Sequence, residues 1–102
     1  MSTRSPEIVV QDKPDDLRYE LIVDGAEVGE ILYRRTPVAL VHTEVSPSLE
    51  GQGLGAQLVA GALDDIRMRG LHVIAICPFV RSYIRHHPEY NDLVVRDREV
   101  SD

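Results

Sequence analysis

The feature that most constrains this chain is a glycine-rich segment at residues 50–56, between an apolar run and the longest helix-like pattern. Gly51, Gly53 and Gly55 stand at every second position and let the backbone approach a ligand closely. The first amides of the following helix would point outward without partners, with the positive end of the helix dipole behind them. We therefore expect a cradle for phosphate or pyrophosphate, although the same glycines would also suit a tight strand-to-helix connection.

Two other phosphate-binding patterns are missing from this segment. The Walker pattern, Gly-x-x-x-x-Gly-Lys, requires a lysine that is not present. The full Gly-x-Gly-x-x-Gly spacing of dinucleotide-binding proteins is not present either. Nucleotide hydrolysis and dinucleotide binding are therefore disfavoured.

Composition indicates one compact domain over residues 1–102, since 43% of them are hydrophobic and can form a core. The formal net charge of -6, without a basic tract, disfavours nucleic acid as a partner. No apolar run approaches the ~20 residues that span a bilayer, and residues 1–6 lack the apolar centre of a signal peptide. Because one cysteine cannot form an internal disulfide, we expect a cytoplasmic protein, and no Cys/His spacing predicts zinc.

The first half of the chain predicts an antiparallel meander of four strands. Residues 8–10 form a short apolar run, and residues 17–23 alternate with the period of a half-buried strand. Asp24-Gly25 is a strong signal for a two-residue hairpin. Two further strand patterns follow at 28–33 and 38–45. Residues 1–7 are expected to be flexible.

The second half predicts a helix, a parallel strand and a second helix. Residues 53–69 have apolar side chains at helical spacing, and Gly70 is placed to end that helix in a left-handed conformation. The apolar run 72–76 then predicts an interior strand parallel to the strand before the helix, reached by a right-handed crossover. A short helix is expected at 81–87, stopped by Pro88, with a last edge strand at 93–95 and a flexible charged tail at 96–102. The fold class is therefore α+β.

The glycine segment and its neighbours resemble a known family. A strand, the Glu50-to-Gly55 loop and a helix are similar to the acetyl-CoA pyrophosphate loop of GNAT-type N-acetyltransferases, whose usual pattern is Gln/Arg-x-x-Gly-x-Gly/Ala. The segments His-Thr-Glu-Val (42–45), Cys-Pro-Phe-Val (77–80) and Tyr-Ile-x-x-His-Pro-Glu-Tyr (83–90) resemble the family's short, uncharacterised members of about this length. The resemblance covers roughly residues 38–95 and implies a minimal GNAT-like domain.

The resemblance implies acetyl-CoA as the cofactor and indicates which residues bind it. Backbone groups near Val45 would pair with the pantetheine arm, and the loop amides would hold the pyrophosphate. Two departures stand out: Glu50 replaces the usual Gln or Arg, and the first helices that usually build the acceptor site are missing. The expected cofactor-binding residues are Val45, Ser46, Glu50, Gly51, Gln52, Gly53, Leu54, Gly55 and Ala56.

Four residues are candidates for catalysis. His42 and Glu44 are two apart on one predicted strand, so they share a face and could relay an amine proton, or could simply line a solvated surface. Cys77 ends the predicted parallel strand and is either a nucleophile or an inert buried thiol. Tyr83 lies near the position where the family usually carries a tyrosine that acts as an acid, but it is one residue out of register. Alternatively, its ring simply packs on the sheet.

Two functions are compatible with the sequence. The first is an acetyl-CoA-dependent N-acetyltransferase that uses direct transfer to a small-molecule amine or a protein amino group. The second is a non-catalytic acyl-CoA-binding or protein-interaction module. A basic cluster at residues 81–87 could contact CoA phosphates or an acidic partner, or could be a solvated helix face. A monomer or weak dimer is expected.

Overall fold

One mixed sheet of five strands runs through the residues that the computed structural model describes, namely 6–35, 38–49 and 51–95. The strands are β1 Ile8–Lys13, β2 Arg18–Val23, β3 Ala26–Arg35, β4 Val38–Val45 and β5 Ile74–Ala75. They lie in chain order, with β1 to β4 antiparallel and β5 parallel to β4. The predicted α+β fold, with its four-strand meander and parallel fifth strand, is therefore confirmed.

Local turn chemistry explains the first connections of the sheet. Asp24 and Gly25 have φ values of 50° and 86°, as a type I′ hairpin requires, so the predicted hairpin is confirmed. The Asp24 carboxylate also accepts a hydrogen bond from the Glu7 amide at 2.9 Å. Between β1 and β2 the chain makes only a 3-10 turn, Pro14–Asp16. No α-helix is therefore inserted at this described connection.

The helix α1, Leu54–Met68, covers one face of the sheet because its apolar residues recur at helical spacing. Opposite it, Leu21, Ile31 and Leu40 are fully buried in the same core. The pattern of apolar positions in the sequence predicted this buried face. Its members are Leu54, Leu58, Val59, Ala62, Leu63 and Ile66.

Polar contacts fix the end of α1 to the sheet. Gly70 has φ of 70°, so the predicted left-handed position after the helix is confirmed. Asp65 pairs with Arg69 at 2.9 Å and accepts a hydrogen bond from the Tyr19 hydroxyl at 2.8 Å. Arg69 also contacts the Asp12 carboxylate of β1 at 3.0 Å. The helix is thereby tied to the first two strands.

The second helix corrects the sequence prediction at its start. The helix α2 spans Pro78–His86, so it begins at Pro78 rather than at Arg81. Proline suits the first helical position because its φ is already helical and its missing amide hydrogen would have no partner there. Pro78 therefore marks the start of α2, three residues before the predicted start at Arg81. The predicted stop at Pro88 is close to the observed end of the helix at His86.

The strands near the chain end are shorter than expected. Of the predicted strand 72–76, only Ile74–Ala75 pairs with β4. The predicted strand 93–95 is wrong, because Pro88–Leu93 forms a 3-10 helix and Val94 makes a single parallel bridge to Val73. Side-chain bonds to α1 hold this segment in a turn, including Tyr90 Oη to Asp64 at 2.7 Å. Predictions for residues 1–5, 36–37, 50 and 96–102 lie outside the described residues.

Candidate functional site

The glycine segment forms an open turn at the start of α1. After β4 a 3-10 turn, Pro47–Leu49, leads to Gly51 and Gly53, whose φ values are 85° and 74°. Gly53 is the N-cap of α1, and no described side chain caps this end of the helix. The first amides of α1 therefore receive no hydrogen bond from a capping side chain, and anion binding by them stays a prediction.

A cavity of about 360 Å³ opens beside this turn, and we call it the loop cavity. It lies where the glycine turn, the end of β4 and the start of α2 meet. Its lining combines backbone groups of the turn with apolar side chains. The residues that line it are Thr43, Val45, Leu49, Gly51, Gly53, Leu54, Gly55, Ala56 and Phe79.

Six of the nine expected cofactor-binding residues line the loop cavity. Ser46 lines a different cavity, and Gln52 is exposed without lining the loop cavity. Glu50 lies outside the described residues. Those that line the cavity are Val45, Gly51, Gly53, Leu54, Gly55 and Ala56.

Strands β4 and β5 separate next to this cavity. Their pairing ends at Leu40 and Ala75. The amides of Ile76 and Cys77 both donate to the Leu40 carbonyl, at 3.1 and 2.9 Å, and the chain then enters α2. No described strand pairs with β4 on this side over residues 41–45, which we call the open edge of β4.

The backbone of Val45 faces this open edge. The Ser46 amide donates to the Val28 carbonyl at 2.7 Å, so it points toward β3. Backbone groups of successive strand residues point to opposite edges, and the Val45 amide therefore points away from β3. An extended chain lying along the open edge could pair with it, in the manner of an added strand.

His42 and Glu44 share the outer face of the sheet, as predicted, with Nε2 and Oε2 3.9 Å apart. Their side chains are 56% and 70% exposed. Neither residue lines the loop cavity. His42 and Glu44 therefore form a solvent-exposed pair on the outer face of the sheet.

Glu44 lines a second cavity, of about 570 Å³, which we call the outer cavity. Glu27 and Glu30 also line it, so its walls are acidic. Arg18 pairs with Glu30 at 3.1 Å and neutralises part of this charge. Val45 lines both the outer cavity and the loop cavity, so β4 separates the two spaces by the width of one strand.

Cys77 is buried, with 4% of its surface exposed, and it is the N-cap of α2. Its Sγ lies 3.4 Å from the Thr43 hydroxyl. Thr43 lines the loop cavity, whereas Cys77 does not. The thiol is therefore next to the cavity wall and at the N-terminus of α2.

Tyr83 lies outside both cavities. Its ring stacks on His87 at a centroid distance of 3.9 Å and faces the Tyr90 ring at 6.1 Å. Partial burial raises the pKa of Tyr83, and the charges of Glu89 and Asp64 raise it further. The structure thus places Tyr83 beside the 3-10 helix, and its role as an acid stays a prediction.

The predicted basic cluster does not form one surface at the loop cavity. Arg81 and Arg85 line a third cavity beside β5. His86 and His87 each hold a carbonyl of their own helix through Nδ1, both at 2.8 Å. None of the four residues lines the loop cavity.

Sequence reasoning missed Phe79 and Thr43. Phe79 was part of the segment that resembles the family, but no role was assigned to it. The available signal was a large apolar side chain near the start of a helix, next to Val80, which is buried. Its place in the loop cavity depends on the meeting of α1 and α2, which local patterns do not reveal.

Other kinds of site are not seen among the described residues. No group of His, Cys, Asp and Glu there could hold a metal ion. Within the same part of the chain, no helix is long and apolar enough to cross a membrane.

Comparison with known proteins agrees with the fold. The family model described as GCN5-related N-acetyl-transferase matches residues 18–93. A solution NMR structure of a GCN5-like protein from Staphylococcus aureus, with N-acetyltransferase as its expected activity, is similar at a TM-score of 0.63 and 28% identity. The match covers 88% of each chain. No curated protein matches. The chain belongs to the GCN5-related N-acetyl-transferase family.

Proposed function

We propose that this protein is an acetyl-CoA-dependent N-acetyltransferase that passes the acetyl group directly to an amine. The observation that carries the proposal is the loop cavity, where the free amides of α1 adjoin the open edge of β4. A ligand in which a neutral chain is attached to an anionic group could therefore bind in one continuous space. The pyrophosphate and pantetheine of CoA are such a pair.

The loop binds the cofactor mainly through its backbone. Amides from Gly51 to Gly55 hold the pyrophosphate with the help of the helix dipole. The open edge of β4 binds the pantetheine amides, with Val45 nearest the acetyl group. Ser46 contributes through its carbonyl or hydroxyl, since its amide already donates to Val28. Bound acetyl-CoA supplies the activated acetyl group as a thioester.

The acceptor approaches from the outer cavity. Glu27, Glu30 and Glu44 make that cavity attractive to a positively charged amine. A small-molecule amine and a protein amino group both fit this description. Because Val45 lines both cavities, we place the meeting point of the acceptor and the acetyl group at this end of β4.

Two groups of the chain assist the transfer. The Val45 amide donates a hydrogen bond to the oxygen that gains negative charge, a kind of interaction that usually contributes about 100-fold or more. Glu44 accepts the proton of the amine, directly or through water, with His42 3.9 Å away as its partner. Reactants held in place by the two cavities need no further cofactor for this reaction.

A relay through Cys77 is the alternative chemical route. Its Sγ would bond to the acetyl carbon, CoA would leave as the thiol, and the amine would then displace Cys77. The contact with Thr43 at the cavity wall favours this route, and burial of the thiol opposes it. In that case enzyme incubated with acetyl-CoA alone should gain one acetyl group on Cys77.

A non-catalytic acyl-CoA-binding or protein-interaction module is the second candidate function. It is favoured by the exposed side chain of Glu44 and by the short connection between β1 and β2, where no helix is present to build an acceptor site. We also place the protein in the cytoplasm and propose a monomer or weak dimer.

Calorimetric titration with acetyl-CoA and with CoA tests the proposal, followed by mass spectrometry of products from a panel of amines. We expect both ligands to bind and one amine at least to gain an acetyl group. Met68→Ala is a suitable control, since Met68 is 86% exposed and does not line the loop cavity. CoA binding without any acetylated product would favour the acyl-CoA-binding module, and absence of CoA binding would rule out both that module and the acetyltransferase.

A further inference from the structure

We propose that Phe79 is the residue that positions the neutral pantetheine arm of CoA in the loop cavity. The inference rests on the proposed function and assigns a role to a side chain outside the glycine loop. It concerns specificity, because an apolar ring discriminates between the neutral arm and the charged phosphates.

The exposure of Phe79 points to a ligand. Its side chain lies at the start of α2 with 46% of the residue exposed, although Val80 beside it is fully buried. The exposed part lines the loop cavity. An aromatic ring that is left half in water next to a cavity gains favourable burial when an apolar group fills that cavity.

The ring is held in place by contacts with α1. A Cβ added at Gly55 would lie 2.9 Å from Cζ of Phe79 and 3.3 Å from its Cε2. The tip of the ring thus packs against the first turn of α1, and an added Cβ at Gly55 would require the ring to shift. Pro78 at the first helical position restricts the backbone on the other side. The ring is therefore part of the cavity wall between the two helix starts.

The position of the ring along the cavity decides which part of CoA it contacts. The phosphates are bound by amides of the glycine turn, and an aromatic face offers them no hydrogen bond. Val45 and Thr43 continue the wall toward Cys77, along the open edge of β4. Phe79 adjoins Gly55 of the loop and lines the same cavity as Thr43 and Val45, so a chain that runs from the phosphates to that edge comes within reach of the ring. This part of CoA is the neutral pantetheine arm.

Variants of Phe79 test the assignment by calorimetry with CoA and with ADP, which has the diphosphate but no pantetheine. Phe79→Ala should weaken CoA binding by about 10-fold or more, whereas Phe79→Leu, which keeps an apolar side chain, should lose less. Affinity for ADP should stay within about 2-fold. Met68→Ala should leave both affinities unchanged. Circular dichroism shows whether each variant is folded.

A second measurement uses the fact that the chain has one phenylalanine. Protein labelled with ring-¹³C phenylalanine gives NMR signals from Phe79 alone. In the complex with CoA, we expect nuclear Overhauser effects between the ring and the geminal methyl groups of pantetheine. Effects to the adenine protons instead, or none with CoA bound, would overturn the assignment. Wild-type protein that does not bind CoA would remove the proposed function itself.

Discussion

At the scale of single residues, Gly53 and Gly55 serve the loop in different ways. Gly53 has φ of 74° and no described atom within 4 Å of an added Cβ, so its backbone conformation alone requires glycine. Gly55 instead leaves room for the ring of Phe79. The alternating glycines of the sequence therefore do not form three equivalent positions.

Gly53→Val should abolish CoA binding while the fold survives. A branched side chain at positive φ destabilises this conformation by roughly 1–2 kcal/mol, and it also occupies the space where the phosphates bind. Calorimetry measures the affinity, and circular dichroism measures the fold. A folded Gly53→Val protein with unchanged affinity for CoA would contradict the assignment of the loop.

Glu44→Gln should lower the rate of acetyl transfer by about 100-fold or more at neutral pH, because the amide cannot accept the amine proton. At high pH the amine is already deprotonated, so part of the rate should return. The measurement is a pH profile of kcat for both proteins, with CoA affinity as the control. An equal loss at all pH values would indicate a structural role for Glu44.

At the scale of elements, α1 packs so closely on β1 that one helix position has no room for a side chain. A Cβ at Gly61 would lie 2.5 Å from Cγ2 and 2.6 Å from Cβ of Val10. Helix propensity favours alanine over glycine by about 1 kcal/mol, whereas overpacking usually destabilises by about 1–3 kcal/mol. The steric effect should be the larger one, since a β-branched strand residue cannot move aside easily.

Gly61→Ala should therefore lower the free energy of unfolding by about 1 kcal/mol. Urea denaturation measures this change. Gln57→Ala, at an exposed position of the same helix, should have an effect of less than about 0.5 kcal/mol. A Gly61→Ala protein that is more stable than wild type would show that the helix lies farther from β1.

The 3-10 helix near the chain end is attached to α1 by a pair that depends on pH. Arg67 donates two hydrogen bonds to the Asp92 carboxylate, at 2.9 and 3.0 Å. These bonds, together with the charge of Arg67, lower the pKa of Asp92 below its ordinary value of 3.8. Because the folded pKa is the lower one, the pair stabilises the fold above the unfolded pKa and loses this effect as the pH falls through the folded value.

Asp92→Asn should therefore lower Tm at neutral pH, and the difference from wild type should shrink as the pH falls below about 4. Thermal unfolding followed by circular dichroism over a pH series measures this. Asp15→Asn, in the exposed turn after β1, is the matched control and should show no such convergence. A difference between Asp92→Asn and wild type that is constant with pH would exclude the ion pair as its cause.

At the scale of the whole molecule, the proposed anionic cofactor would bind to a protein with a formal net charge of -6. Short-range hydrogen bonds from the loop amides have to overcome this long-range repulsion.

Glu50 adds one negative charge next to the loop in the sequence. Glu50→Gln should consequently tighten CoA binding modestly, and the gain should shrink as salt increases to about 1 M. Calorimetry at two salt concentrations tests this, and a gain that is independent of salt would point to a changed loop structure instead.

The sequence alone determined the order and the type of most elements. Alternation over 17–23 and the Asp24-Gly25 pair are local signals, and they specify a strand and its hairpin without knowledge of the rest of the chain. The row of apolar residues in α1 and the glycines before it are local in the same sense. The start of α2 is also encoded locally, by Pro78, because proline is favoured at the first position of a helix.

Tertiary structure alone decided which side chains meet at the site. Phe79 reaches Gly55 because α1 and α2 begin side by side, and β4 has an open edge beyond Leu40 because its pairing with β5 ends there. Tyr83 is held by His87 and lies away from the loop cavity. These contacts join residues far apart in sequence, and they depend on the packing of whole elements. Periodicity and turn chemistry report only on neighbours within a few residues, so they cannot specify such contacts.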